Sequence, residues 1–191
     1  MNYEFTIIIP VYNEEDNLER VEKELKDYLA ICTKNAKVLF VNDGSKDNSQ
    51  QLIEAICQRN EAFSFVKFAQ NKGLSAAIKA GFDHVDTPLI GYIDSDLQTS
   101  PEDFNLLLEH IDQYDLVTGV RADRKDSFVK NASSTIANVI RRAFTNDGMD
   151  DTGCPLKVIG LWNRLLGPLM DCFAYLWMKK KYINYEVEKI G

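Results

Sequence analysis

EFTIIIPVYNEE, residues 4–15, opens with a nearly continuous apolar and β-branched run over residues 5–11 and then turns polar. A run without apolar–polar alternation is what a strand buried on both faces of a parallel sheet requires. Downstream, Leu18, Val21, Leu25, Tyr28 and Leu29 recur three and four residues apart, which is one face of a helix. Residues 38–41 form a second short apolar strand, broken by Asn42-Asp43-Gly44-Ser45, and Leu52, Ile53, Ile56 and Cys57 stripe a second helix. Residues 63–68 and 89–93 read as the third and fourth strands, with a helix between them whose inner face is Leu74, Ala77, Ile78, Phe82 and Val85. Ser100 stands as an N-cap before Pro101, ahead of inward-facing Phe104, Leu107, Leu108 and Ile111, and residues 115–118 give a fifth strand. Repeated strand–helix units of this length predict an α/β fold, a Rossmann-like, mostly parallel sheet with helices on both faces.

The 191 residues, 45% of them hydrophobic, suffice for one well-packed core. Twenty-two Lys and Arg against 29 Asp and Glu leave a net charge of −7, which excludes a general binder of nucleic-acid backbones. The composition also excludes a disordered, collagen-like or disulfide-framed chain. Cys32, Cys57, Cys154 and Cys172 show no metal-ligand spacing and read as inert thiols. The N-terminus lacks the pattern of a signal peptide, so a cytoplasmic location is expected. The most apolar stretch, residues 159–178, carries Asn163, Arg164 and Asp171 and is not a membrane span.

In open α/β sheets the ligand sits beyond the carboxyl ends of the strands. Here those ends carry Tyr12-Asn13-Glu14, Asp43-Gly44-Ser45, Asn71-Lys72-Gly73 and Asp94-Ser95-Asp96, four polar clusters on one predicted edge. Two carboxylates as close as Asp94 and Asp96 repel one another unless a cation lies between them, and Mg²⁺ or Mn²⁺ accepts such ligands together with substrate phosphates. The plainer alternative is that the pair caps a turn before the next helix. Neither a Gly-x-Gly-x-x-Gly loop nor a Walker loop follows the first strand. Asp43, at the second strand end, is placed to accept hydrogen bonds from a base or ribose. Lys72 and Gly73 open a helix, so backbone N–H groups there could face an anion, although helix-start punctuation accounts for them equally well.

TIIIPVYNEEDNLE, VNDGSKDNS, NKGLSAAIKAGF, YIDSDLQTSPEDF and GVRADRKD, in this order, resemble the inverting family 2 glycosyltransferases of GT-A fold. The likeness is strongest to the polyprenyl-phosphate branch, the dolichol-phosphate-mannose-synthase-like enzymes, and covers roughly residues 4 to 158. The resemblance implies a metal-dependent hexosyltransferase that moves a sugar from a UDP- or GDP-linked donor to a lipid-linked acceptor. It implies that Pro10, Tyr12 and Glu14 line the nucleoside pocket and that Asp43 bonds the base or ribose. Asp94 and Asp96 would be the DxD pair holding Mg²⁺ or Mn²⁺, with Gln98 close to the metal and the sugar diphosphate. Arg121 and Arg124 would reach phosphates, a role that suits the bidentate guanidinium; two surface arginines in a charged loop are the alternative.

A lipid phosphate, with a second pKa of about 6, attacks unaided at neutral pH, whereas a sugar hydroxyl needs a base. Asp151 ranks first for that base, ahead of Asp147 and Asp150, against the alternative of a solvated acidic loop. Two other functions remain open at this stage: a polysaccharide or surface-glycan transferase with a hydroxyl acceptor, and a non-catalytic nucleotide-sugar-binding module. A nucleotidyltransferase would want the phosphate loop that is missing.

Relatives continue past DTGCPLK with an acceptor-side segment, whereas here Lys157-Val158 runs almost directly into GLWNRLLGPLMDCFAYLWMKKKY, so the join near Ile159 looks like an internal deletion. The expected organisation is a GT-A domain over 1–158 with a shortened acceptor side, followed by an amphipathic, juxtamembrane-like segment over 159–191. In the latter, Trp162, Leu165, Leu166, Leu169, Met170, Phe173, Leu176 and Trp177 form a stripe beside Lys179-Lys180-Lys181. That pattern suits peripheral contact with the cytoplasmic membrane face; a helix packed on the sheet, or between copies in a homo-oligomer, is the alternative.

Overall fold

A computed structural model describes residues 2–114, 116–119, 156–160 and 186–191. In chain order the elements are β1 (Phe5–Val11), α1 (Leu18–Ile31), β2 (Ala36–Asn42), α2 (Ser49–Arg59), β3 (Phe63–Phe68), α3 (Leu74–His84) and β4 (Leu89–Tyr92). A 3₁₀ turn (Pro101–Asp103) leads into α4 (Phe104–Leu108), followed by β5 (Leu116–Thr118), β6 (Lys157–Gly160) and β7 (Val187–Ile190). The seven strands among the described residues form one sheet in the order β5-β6-β4-β1-β2-β3-β7. The β4-β1-β2-β3 core is parallel, while β6 pairs antiparallel with both β4 and β5, and β7 pairs antiparallel with β3.

Every residue of β1 is buried, because both faces of this central strand are covered. Phe5, Ile7, Ile9 and Val11 meet Leu18, Val21, Leu25 and Tyr28 of α1, Ile53 and Ile56 of α2, and Phe104, Leu107 and Leu108 of α4. Ile8 faces the other way, with Leu39, Val41, Val66 and Phe68, onto Ala76, Ala77 and Ala80 of α3. Of the face expected for α3, Ala77 and Val85 are buried and Phe82 packs against the core, whereas Leu74 is exposed and Ala76, Ala80 and Gly81 are buried in addition. The reason is close approach, since a Cβ built on Gly81 would lie 2.6 Å from Ile8 Cγ2. Small side chains let this helix lie tight against β1 and β2, and the larger Leu74 is turned out toward the strand ends.

The boundary expected between residues 158 and 159 falls inside β6, where Val158 pairs with Gly91 and Ile159 with Ile90. At the other end of the expected second segment, Lys67 pairs with Lys189, and ion pairs Lys67–Glu188 and Lys189–Glu54 flank that contact, each at 2.8 Å. Arg121, Arg124, Asp147, Asp150, Asp151, Cys154 and Cys172 lie outside the described residues, as does the 162–181 stripe. Among the described residues no helix is long and apolar enough to cross a membrane. Cys32 and Cys57 are unpaired, and burial pushes the Cys57 thiol up to about 12, which suits an inert sulfur.

Two polar devices fix the strand-end loops. The loops after β1 and β2 are laced together: Asn13 N donates to Ser45 Oγ at 3.0 Å, Lys46 N to Asn13 Oδ1 at 2.8 Å, Glu14 N to Ser49 Oγ at 2.9 Å and Asn48 N to Glu15 Oε2 at 2.8 Å. Asp43, buried at 3% exposure, accepts from Lys72 N at 2.7 Å, Gly73 N at 2.8 Å and Asn71 Nδ2 at 2.9 Å, stapling the end of β2 to the loop before α3. The chain passes so close here that a Cβ on Gly44, itself at φ +68°, would sit 2.5 Å from the Gln70 carbonyl carbon. Between the helices, half-exposed Arg59 of α2 forks onto Glu22 of α1, with its Nε 2.8 Å from Oε1, and Asn60 Nδ2 adds a bond of 2.9 Å.

Two outcomes are expected. Asp43→Ala leaves the Lys72 and Gly73 amides without their acceptor, so it lowers stability by about 1–3 kcal/mol and removes the hydrogen-exchange protection of those two amides. The Arg59 fork holds the Glu22 carboxyl below its ordinary value of 4.5, so its stabilisation is present above that pH and is lost as the pH falls through the folded value. Glu22→Gln therefore flattens the acid limb of a stability–pH curve measured by denaturant unfolding.

Candidate functional site

The carboxyl ends of β1, β2, β3 and β4 lie on the same edge because these strands run parallel, and a cleft of about 310 Å³ opens there. Its walls are Pro10, Val11, Tyr12 and Glu14 from β1 and its loop, Asp43 after β2, Asn71, Gly73, Leu74 and Ala77 around the start of α3, and Asp94-Ser95-Asp96 after β4. Of the residues expected in the site, Pro10, Tyr12, Glu14, Asp43, Asp94 and Asp96 thus meet in one place. Tyr12 is 41% and Leu74 53% exposed, so an aromatic ring and an aliphatic side chain stand at the rim. Asn71 belongs to one of the polar clusters expected on this edge, whereas Leu74 was not expected from sequence as a wall of the site. The signal for Leu74 lay in its position beside that cluster, and helix periodicity assigned it to the core instead.

Lys72 does not line the cleft, and its amide, like that of Gly73, donates to the Asp43 carboxylate. Of the two readings left open for this helix start, an anion-facing pair of N–H groups or simple punctuation, the bonds favour the second, since the acceptor is a side chain of the protein itself. Burial raises the Asp43 carboxyl above its ordinary 3.8, and the two amides pull against that shift. Three bonds from the loop occupy most of the acceptor capacity of Asp43, so it holds the cleft wall in shape while lining it.

The turn after β4 is built to display its acids. Leu97 is buried at 8% exposure with φ +44°, and its N–H donates to Asp94 O at 3.1 Å. Tyr92 donates its phenolic hydrogen to Asp94 Oδ1, and Arg20 of α1 donates to the backbone carbonyl of Asp96. Burial first, and then the Asp94 carboxylate, push the Tyr92 hydroxyl upward, so it stays protonated as a donor. Gln98 is exposed and outside the cleft wall; its backbone N–H donates to Asp96 Oδ1 at 3.3 Å.

Two carboxylates from one turn, facing an open cleft, suit a hard divalent cation that completes its shell with substrate and water oxygens. Among the described residues no third His, Cys, Asp or Glu joins them to make a closed metal cage. Asp94 and Asp96 are the side chains that would hold such an ion.

The glycosyl transferase family 2 model matches residues 6–182. An undecaprenyl-phosphate 4-deoxy-4-formamido-L-arabinose transferase of Edwardsiella ictaluri is 36% identical over 157 residues, 80% of this chain and 47% of that protein. The fold is similar to that of the Pyrobaculum calidifontis mannosyltransferase PcManGT, determined with GDP-Man and Mn²⁺ (TM-score 0.60, 18% identity, 90% of this chain and 49% of that one). It is similar also to glucosyl-3-phosphoglycerate synthase of Mycobacterium tuberculosis, determined with Mn²⁺, UDP-glucose and phosphoglyceric acid (TM-score 0.62, 15% identity, 83% and 56%). The chain spans about half the length of the relatives it matches. With the family pattern running through nearly all of its residues and a GT-A-like α/β sheet beneath its cleft, this chain belongs to the family 2 glycosyltransferases.

Proposed function

We propose that the chain transfers a sugar, with inversion, from a nucleoside-diphosphate sugar to a polyprenyl phosphate. The observation that carries this reading is the meeting of Asp94 and Asp96 with Pro10, Tyr12 and Asp43 in one cleft at the strand ends. The acceptor class is supported by the relative named for undecaprenyl phosphate. The donor class is supported by the neighbours determined with GDP-Man and UDP-glucose.

In this reading the nucleoside lies along Pro10 and Tyr12, with Glu14 and Asn71 nearby to accept and donate hydrogen bonds. Asp43 keeps the Asn71–Gly73 wall in place, and its remaining acceptor position can meet a base or ribose. Asp94 and Asp96 direct negative charge to where the donor diphosphate enters, which is favourable only with a divalent cation between them. A bound Mg²⁺ or Mn²⁺ supplies electrostatic stabilisation for the charge that grows on the departing diphosphate. The acceptor phosphate oxygen forms the new bond to the anomeric carbon as the carbon–diphosphate oxygen bond breaks on the opposite side. Because that phosphate is largely ionised at neutral pH, with a second pKa of about 6, no residue has to remove a proton. A general base is needed only for a hydroxyl acceptor, and Asp151 is the residue proposed for it there.

Titration calorimetry of the chain with UDP, GDP and their sugars, with and without Mn²⁺, tests the donor half. Mn²⁺-dependent binding is expected. Asp96→Ala should weaken it by about a hundredfold or more, since even outer-shell partners of metal ligands cost about 10–100-fold. Binding that ignores both the metal and the substitution would overturn the reading. Transfer from the bound donor to undecaprenyl phosphate in detergent tests the acceptor half; donor binding without transfer to any lipid phosphate would favour the binding-module alternative. A lipid acceptor also predicts that the chain floats with anionic vesicles and not with neutral ones.

A further inference from the structure

The first acid of the pair does not stand alone. Tyr92 is the last residue of β4 and Asp94 follows two positions on, a spacing that sends two side chains to the same side of an extended chain. The ring of Tyr92 is half-buried, and its hydroxyl donates to Asp94 Oδ1, leaving Oδ2 without that bond. Among the described residues no side chain donates to Asp96 in the same way: it is exposed, and its Oδ1 accepts from the Gln98 amide at 3.3 Å. The two acids are therefore held differently, one oriented by a neutral donor in a partly apolar setting and the other facing solvent.

We propose that Tyr92 is a positioning residue for the cation-binding carboxylate of Asp94. Its hydroxyl occupies one carboxylate oxygen and fixes the rotation of the group, so that the other oxygen is presented to a divalent ion through a single bond. A neutral donor suits this task, because a Lys or Arg there would add a positive charge beside the ion. Outer-shell donors of this kind orient ligands and raise affinity without touching the metal. The inference rests on the transferase reading above, in which Asp94 and Asp96 share the ion.

The test compares wild type, Tyr92→Phe and Asp94→Asn by Mn²⁺ binding in the presence of UDP, read by electron paramagnetic resonance of the free ion. Tyr92→Phe keeps the ring and its packing and removes only the donor. It is expected to weaken Mn²⁺ binding about tenfold. The metal-free melting midpoint should stay at the wild-type value, and the Mn²⁺ concentration for half-maximal transfer should rise while turnover at saturating Mn²⁺ is retained. A role confined to packing would move none of these metal readouts. If Tyr92→Phe binds Mn²⁺ as tightly as wild type, or more tightly, while Asp94→Asn loses it, the positioning role of Tyr92 is overturned and the cation site stands. If Asp94→Asn binds as wild type does, the cation site itself falls, and the Tyr92 proposal with it.

Discussion

Burial of β1 on both faces is the constraint on which the rest of the structure depends. A strand with no solvent-facing side needs covering layers above and below it, and it needs neighbours on both edges to satisfy its backbone. Those neighbours, β2 and β4, are parallel to it, so each must be reached by a crossover that returns the chain to the starting end of the sheet. The direction of every core strand follows, and with it the collection of polar strand ends on one edge. The cleft is thus a product of connectivity. Side-chain chemistry then decides what the cleft can hold.

The cleft walls are held by bonds from the protein to itself. The buried Asp43 carboxylate satisfies two backbone amides of the loop before α3, and the loops after β1 and β2 exchange side-chain-to-backbone bonds. Such cross-links cost conformational freedom during folding and not at binding, so a ligand entering the cleft would meet walls already in position. The small residues on α3 contribute in the same way. By letting the helix approach β1 and β2 closely, they bring its first turn, with Leu74, up to the strand ends.

Much of this was legible in the residues. The span of β1 and that of β3 follow directly from their apolar runs, and the inner faces of α1 and α2 from three-and-four spacing. The acids after β4 were legible because a strand that ends in Asp-Ser-Asp has no packing reason to do so. Two kinds of feature were not. Strands β6 and β7 are four residues each, and both find their partners far away in sequence, so no local periodicity marks them. On α3 the misjudged residue was Leu74, favoured by its apolarity, whereas distance to the sheet selected alanine and glycine beside the core-packed Phe82 and Val85. The Lys72 and Gly73 amides stayed undecided for a related reason: a helix start advertises free N–H groups, and only the fold reveals that Asp43 has reached them first.

Leu97 carries a consequence for which residues position 97 can accept. It combines a left-handed backbone with a side chain sunk among Phe104, Leu107 and their neighbours. For an ordinary L-residue that backbone costs about 1–2 kcal/mol, and the buried leucine side chain offsets the cost with roughly 1.5–3 kcal/mol. Glycine would relax the backbone and leave a hole in the core; asparagine would accept the backbone and bury an amide; valine or isoleucine would fill the hole and resist the backbone. Each alternative fails on one side, so the turn that carries the two acids is guarded by a residue that has no charge and does not line the cleft.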